Sequence, residues 1–424
     1  MIKHGADELF FKSRTLVMNY NQLFKLNCHV QHYAWGARCR GGRKPFIAEL
    51  ESMPADEHQP FAELWIGAHP KLPANVVTDT TTTPLDQFIA AAPEEILGEK
   101  LVDRGFESLP FLMKVLDCEQ SLSIQAHPDK NTARRLHAAD PENYPDANHK
   151  PEIAISVQGM DAFCEFRPLA DIVGDLHRLN TLSETFELVL SNHTVMRNNP
   201  RQWLRTAYAT VFDMPQEQVT DLIQRLVSEI NTRNDRTAQD EWIIKLMEQH
   251  PNDRGILSAY FLNIIHLAPG QAVFLRPNEP HAYLQGTIIE CMASSDNVVR
   301  AGLTSKFIDR QTLVEMLTYD AGAPEISMGE AIGKGKRVYR VPVPEFQVEY
   351  YEHDSDCSVE YNAGGAVSLM LVLDGNAEFK VDDQVIPAPR GSTWLWPASR
   401  KTVTVTSLSS PCKIVRARPN LEHT

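Results

Sequence analysis

The chain has 424 residues, 43% of them hydrophobic and 23% charged, with a formal net charge of −14. That length exceeds one ordinary core and predicts two or three domains of a soluble globular chain. The acidic balance argues against nucleic acid or an anionic membrane surface as partner, and admits an anionic small molecule only where a local basic pocket receives it.

The opening run MIKHGADELFFKSRTLV carries charges where a secretory leader needs an apolar centre, and no apolar run is long enough to span a bilayer. Residues 1–17 read as an N-terminal extension, with Met18 as an alternative start. The seven cysteines (Cys28, Cys39, Cys118, Cys164, Cys291, Cys357 and Cys412) are scattered and form no C-x-x-C pair. This predicts a reducing, cytoplasmic setting and no cysteine-built zinc site.

From about Leu23 to Val157 the text reads mostly as strands and loops. LPFLMKVLD and SLSIQAHP, separated by the short CEQ, predict a hairpin, and KPEIAISV a further strand. From about Pro168 the apolar spacing becomes helical in PLADIVGDLHRLNTL, RQWLRTAYATVF, EQVTDLIQRLVSEINTR and DEWIIKLMEQH, with prolines between. Strands return at NIIHLAPGQAVFLRPNEPHAYLQGTIIECMA, where Pro269-Gly270 marks a turn. After about Pro324 strands alternate with turns at Asp374-Gly375 and Asp382-Asp383.

APGQAVFLRPNEPHAYL and APRGSTWLWPASRKTVTV share a rhythm of Pro, Gly, strand, Pro, strand. That rhythm predicts two small β-barrels of related design. His281 would be matched in the second by a basic residue near Lys401, so the second barrel is expected to be metal-free. The predicted class is mainly β with an α-helical insertion. Residues 18–165 and 255–325 are assigned to a catalytic domain, 166–254 to the insertion and 326–424 to the C-terminal barrel.

Four polar residues stand inside or beside apolar strand text: Gln125 and His127 on one strand face, Glu152 opening EIAISV, and His281 in NEPHAYL. Singly each has an ordinary reading as a solvated or hydrogen-bonded side chain. Together two imidazoles, a carboxylate and an amide oxygen form a mixed set that suits zinc or a similar divalent ion. Basic residues adjoin it: Lys114 in FLMKVLD, Lys130 after HPD, His149 and Lys150 before Glu152, and Arg300 and Lys306 in DNVVRAGLTSKFID. In an acidic protein such clustering reads as a phosphate pocket.

The motifs QHYAWG, AELWIGAHP, SLSIQAHPDK, NHKPE, PNEPHAYLQG and ECMASSDNVVRAGLTSKF, in this order from about Leu26 to Phe307, resemble the type I mannose-6-phosphate isomerase family. The resemblance implies cupin-type β-barrels, a helical insertion and one zinc per chain held by Gln125, His127, Glu152 and His281. It also implies Arg300 as the essential arginine, Ser123 as a phosphate contact, and Trp35, Lys114, Lys130, Tyr283 and Lys306 as further substrate contacts. Ser305 stands where the family usually has proline, and WGARCRGG departs from the usual WGS.

The implied reaction interconverts mannose 6-phosphate and fructose 6-phosphate through an enediol, with a sugar phosphate as the partner and a monomer as the expected state. Lys150 is the expected proton carrier, since a lysine near a cation can be acidified, and Glu290 is the second choice. Asp296 is expected to orient Arg300, and His149 to assist ring opening. A cupin metal oxygenase and a non-catalytic sugar-phosphate sensor are the competing readings. The basic residues beside the ligands argue against the first, and the set of Arg300, Lys150 and four ligands against the second. A nucleotide-transfer activity would need a phosphate loop that the chain lacks.

Overall fold

The structure, a computed structural model, describes residues 18–423. The expected extension at residues 1–17 lies outside the described residues. The catalytic half is built on the strand His281–Ala293, which pairs antiparallel with Phe111–Cys118 on one side and with Glu152–Phe166 on the other. These belong to a ten-stranded sheet that also takes in Glu63–Ile66, Leu262–Leu267, Ala272–Leu275, Ile124–Ala126 and Val299–Gly302.

Every residue of Phe111–Cys118 is buried, because both of its faces are covered. Phe111, Met113 and Val115 enter the core shared with the second large sheet. Leu112, Lys114 and Leu116 alternate onto the other face, as a two-residue period requires. Lys114 therefore arrives in a protein interior through strand geometry alone.

The expected hairpin between LPFLMKVLD and SLSIQAHP does not form. Phe111–Cys118 and Ile124–Ala126 instead lie one after the other along the same edge of His281–Ala293, with Cys118 opposite Gly286 and Gln125 opposite His281. The intervening residues swing out of the sheet and rejoin it. The long partner strand satisfies both segments, so neither needs the other.

Residues 166–254 form helices that include Leu169–Arg178, Pro200–Asp213, Gln216–Asn231 and Ala238–Gln249. Their apolar stripes meet in one core around Trp203, Tyr208 and Leu226, which continues into Phe166 and Phe261 at the root of the sheet. Helices also appear in the stretch expected to be mostly strands and loops, at Phe46–Leu50, Leu85–Ala91, Pro93–Leu97, Glu99–Asp103 and Lys130–Ala139. Most are one or two turns long, cut short by Pro84 and Pro93, so their periodicity is too brief to read.

The C-terminal half packs a nine-stranded sheet against the four-stranded sheet Ser358–Asn362, Thr402–Ser407, Ala377–Val381 and Gln384–Ala388. Trp394, Trp396, Phe379 and Val405 fill the space between them. Sheet membership does not follow chain order. Phe24–Asn27 pairs with Thr393–Trp396 of this half, and Ile326–Ser327 pairs with Ala272–Val273 of the catalytic sheet. Neither large sheet closes into a ring through its pairings among the described residues. The two rhythmic runs do fold alike: Ala272–Leu275 leads to His281 through residues 276–280, and Thr393–Trp396 leads to Thr402 through residues 397–401. No helix among the described residues is long and apolar enough to cross a membrane, and all seven cysteines are unpaired.

His281–Ala293 is irregular between Tyr283 and Gln285 and again between Thr287 and Ile288, where it crosses Glu152–Phe166. Gly286 sits between these shifts at φ 131°, and a Cβ there would lie 2.1 Å from the Gly159 carbonyl oxygen. Gly286→Ala should therefore cost roughly 2–4 kcal/mol through strain and steric overlap. Denaturant unfolding of the variant beside the parent measures it, and a change below about 0.5 kcal/mol would contradict this account of the bulge.

Candidate metal centre and active-site cavity

Three strands bring the site together in one row. His281 faces Gln125 across one pairing, and Arg300 faces Gln125 across the next. Residues directly opposite in antiparallel strands share a face. His127 follows the end of the Gln125 strand, and Glu152 opens the strand that flanks His281–Ala293 on its other side.

His127, Glu152 and His281 can each direct one ligand atom to a common point, all within 4.8 Å of one another. His127 Nε2 lies 3.3 Å from Glu152 Oε1, and His281 Nε2 lies 3.5 Å from Glu152 Oε2. The three residues are 2%, 0% and 1% exposed. Both Nε2 atoms and both Glu152 oxygens lack a hydrogen-bond partner. Buried polar atoms are rarely left so, because each orphan costs about 1–3 kcal/mol.

The other ring nitrogens are committed. His127 Nδ1 lies 2.8 Å from the Asn297 carbonyl and His281 Nδ1 lies 3.2 Å from the Glu279 carbonyl. A carbonyl only accepts, so each Nδ1 carries a proton and each ring turns its Nε2 toward the common point. Burial, aided by the Lys150 charge, pulls the His127 imidazole down to about 4, which keeps it neutral near pH 7. Burial alone would push Glu152 up, but Lys150, at 3.0 Å, and His127 outweigh it and hold the carboxyl well below its usual range. A neutral His127 imidazole and an ionised carboxylate are donor forms that a zinc-like ion requires, and His281 Nε2 faces the same point.

Beside this centre opens a cavity of about 610 Å³. Gln125, Ser123, Lys114, Lys150, Tyr283, Glu290, Arg300, Lys306 and Trp35, all candidates from the sequence, line it. Its charges are unequally committed. Lys114 lies 3.5 Å from Glu63 and 3.3 Å from Glu290, and Lys150 lies on Glu152. Burial lowers the Lys114 ammonium, yet Glu63 and Glu290 more than restore it. Burial, reinforced by Glu152, raises Glu290. Among the described residues, no carboxylate lies within ion-pair distance of Arg300 or Lys306, so this wall of the cavity is the electropositive one.

Three expected site residues fall elsewhere. Asp296 does not orient Arg300; its carboxylate is taken by Lys71 at 2.7 Å and His69 at 3.4 Å. His149 lies 2.7 Å from Glu345 of the C-terminal half, because neighbours in extended chain point to opposite sides and Lys150 takes the inward one. Lys130 is exposed on the first turn of helix Lys130–Ala139 and does not line the cavity.

The sequence reading passed over Glu63, Trp65, Tyr33 and His250, which also line the cavity. Glu63 accepts from the Trp65 indole at 2.5 Å, and Trp65 lies under the Lys114 ammonium. Glu63 alternates with apolar neighbours in AELWIG, the same signal that singled out Lys114. His250 comes from the end of the helical insertion and gives no local signal at all.

A cationic cavity over a buried two-histidine, one-carboxylate centre defines a metal-site enzyme with room for an anionic small molecule. Comparison with known proteins specifies it. The profile "Phosphomannose isomerase type I, catalytic domain" matches residues 23–169, and "Phosphomannose isomerase type I, helical insertion domain" matches residues 181–262. The mannose-6-phosphate isomerase of Ogataea parapolymorpha is 36% identical over 397 residues, covering 88% of this chain and 92% of that protein. The Mus musculus enzyme of the same name is 37% identical over 379 residues, covering 84% and 88%. A zinc-bound mannose 6-phosphate isomerase structure superposes with a TM-score of 0.83 at 29% identity, covering 94% of this chain and 100% of that one. A lysine-to-alanine variant of the Salmonella typhimurium phosphomannose isomerase gives the same figures. The chain belongs to the type I phosphomannose isomerase family and is an isomerase.

Removing the carboxylate that both histidines face should abolish tight metal binding. Glu152→Ala, purified with zinc and dialysed, should retain less than about a tenth of the parent's zinc by elemental analysis. Parent-like retention would remove Glu152 from the donor set.

Proposed function

We propose that this chain interconverts mannose 6-phosphate and fructose 6-phosphate through an enediol, with one zinc per chain held by Gln125, His127, Glu152 and His281. The observation that carries this reading is the adjacency of orphaned buried donors to a cavity that holds uncommitted cations. The relatives' activity and the zinc in a related structure support it. When bound, zinc supplies Lewis-acid charge to a sugar oxygen.

The remaining work falls to side chains. Lys306, with the hydroxyls of Ser123 and Thr304, holds the phosphate at the open end. Arg300 faces the charge that develops on the enediolate oxygen, where its guanidinium has no competing carboxylate. Lys114 is balanced by two carboxylates, so it orders the cavity floor more than it attracts phosphate. Lys150 carries the proton between C2 and C1. Glu290 is the alternative carrier, supported by the burial that raises its carboxyl toward neutrality. The unpaired cysteines support a cytoplasmic setting.

Conversion of mannose 6-phosphate should fall on chelation and return with zinc; a folded, zinc-loaded chain that converts none would reject the proposal. Arg300→Ala should lower turnover by roughly 10²–10³-fold with zinc content unchanged. Near-parent turnover would remove Arg300 from its role. The proton carrier shows in the pH–rate profile. Lys150→Ala should flatten one limb. If Glu290 is the base instead, the rate climbs as pH passes its raised pKa, and Glu290→Gln removes that limb while Lys150→Ala leaves the profile unchanged.

A further inference from the structure

The helical insertion ends in a turn, residues 249–255, that touches both loops walling the cavity. On one side Gln249 Oε1 accepts from the Ser121 N–H at 3.0 Å, and His250 Nε2 lies 2.8 Å from Ser121 Oγ. On the other, Asp253 Oδ1 accepts from the N–H of Leu303 at 2.9 Å and of Gly255 at 2.7 Å, and Oδ2 accepts from the N–H of Thr304 at 3.1 Å. Leu303 adopts a left-handed φ of 54°, unfavourable for a residue with a Cβ, and is held there. The two backbones touch directly: a Cβ on Gly302 would lie 2.5 Å from Gly255 Cα, and one on Gly255 would lie 2.8 Å from Leu303 N. Leu303 is buried in the insertion's own core.

The gripped turn joins Arg300 to Lys306, and Thr304, Ser305 and Lys306 line the cavity. We propose that Asp253 is a positioning residue: its charge-assisted hydrogen bonds hold residues 302–304 in the strained conformation that presents Thr304 and Lys306 to the phosphate of the substrate. The insertion is then part of the substrate site, although its one cavity-lining side chain is His250. This rests on the reading of that wall as the one that receives the sugar phosphate.

Asparagine cannot serve the same donors with two acceptor oxygens. Asp253→Asn should raise KM for mannose 6-phosphate, and the inhibition constant of inorganic phosphate, roughly tenfold. Zinc content should match the parent's, and kcat should change by less than about threefold. A parent-like KM in the folded, zinc-loaded variant would overturn the proposal, because a merely structural role lowers the active fraction and the unfolding temperature and leaves KM alone. Amide hydrogen exchange on the parent decides independently of any variant's folding. The Leu303 and Thr304 amides should exchange slowly without substrate; exchange as fast as free surface amides would also overturn it. Failure of the parent to turn over mannose 6-phosphate would sink the functional reading, while the exchange result would still judge the clamp.

Discussion

Glu152 is a carboxylate with no access to water, and the catalytic half is arranged around that fact. An isolated buried charge is among the costliest features a fold can contain. Here it is met by the Lys150 ammonium and by two imidazoles whose remaining nitrogens point at it. Even so, four buried donor atoms are left without hydrogen bonds. One atom of each residue can reach a common point, so a divalent cation there would satisfy both imidazoles and the carboxylate together. The second half of that arrangement lies in the carbonyls of Asn297 and Glu279, which set the histidine tautomers.

The cavity charges follow the same logic at a lower level of burial. Lys114 and Lys150 sit deep, and each is matched by acidic partners, so they order the floor without making it strongly attractive to an anion. Arg300 and Lys306 stand at the wall with no such partner. Under the proposed function, a phosphate-bearing sugar is drawn to that side and its carbonyl end is left toward the donor set. This division between committed and uncommitted cations explains how a chain with a net charge of −14 can receive an anionic substrate.

The strand His281–Ala293 is what allows both arrangements to coexist. It supplies a metal-type donor at one end and Glu290 nearer the other, and it borders strands bearing Lys114 and Glu152. It also accepts Ile124–Ala126 on the edge it already shares with Phe111–Cys118, which is why the expected hairpin is absent. Local sequence offered two strands and a short link; it could not show that a third, remote strand would serve both.

Much of the site was legible in the sequence. Polar residues in alternating apolar text stand out because a strand face leaves them few alternatives, and Gln125, His127, Lys114 and Glu152 were found that way. The helical insertion was legible because its stripes run for several turns. The short helices near Leu85 and Pro93 were not, since one or two turns carry no readable period. Tertiary structure alone decided the rest. Asp296 and His149, near the candidates Arg300 and Lys150 in sequence, were turned to Lys71 and to Glu345 by packing. Phe24–Asn27 crossed into the C-terminal sheet. His250 reached the cavity, and Gln249 and Asp253 the loops that wall it, from a helical segment far along the chain. A residue's type and periodicity state which chemistry it can perform and which face it prefers. Its partner across dozens or hundreds of residues depends on which backbones come together, and no local pattern records that.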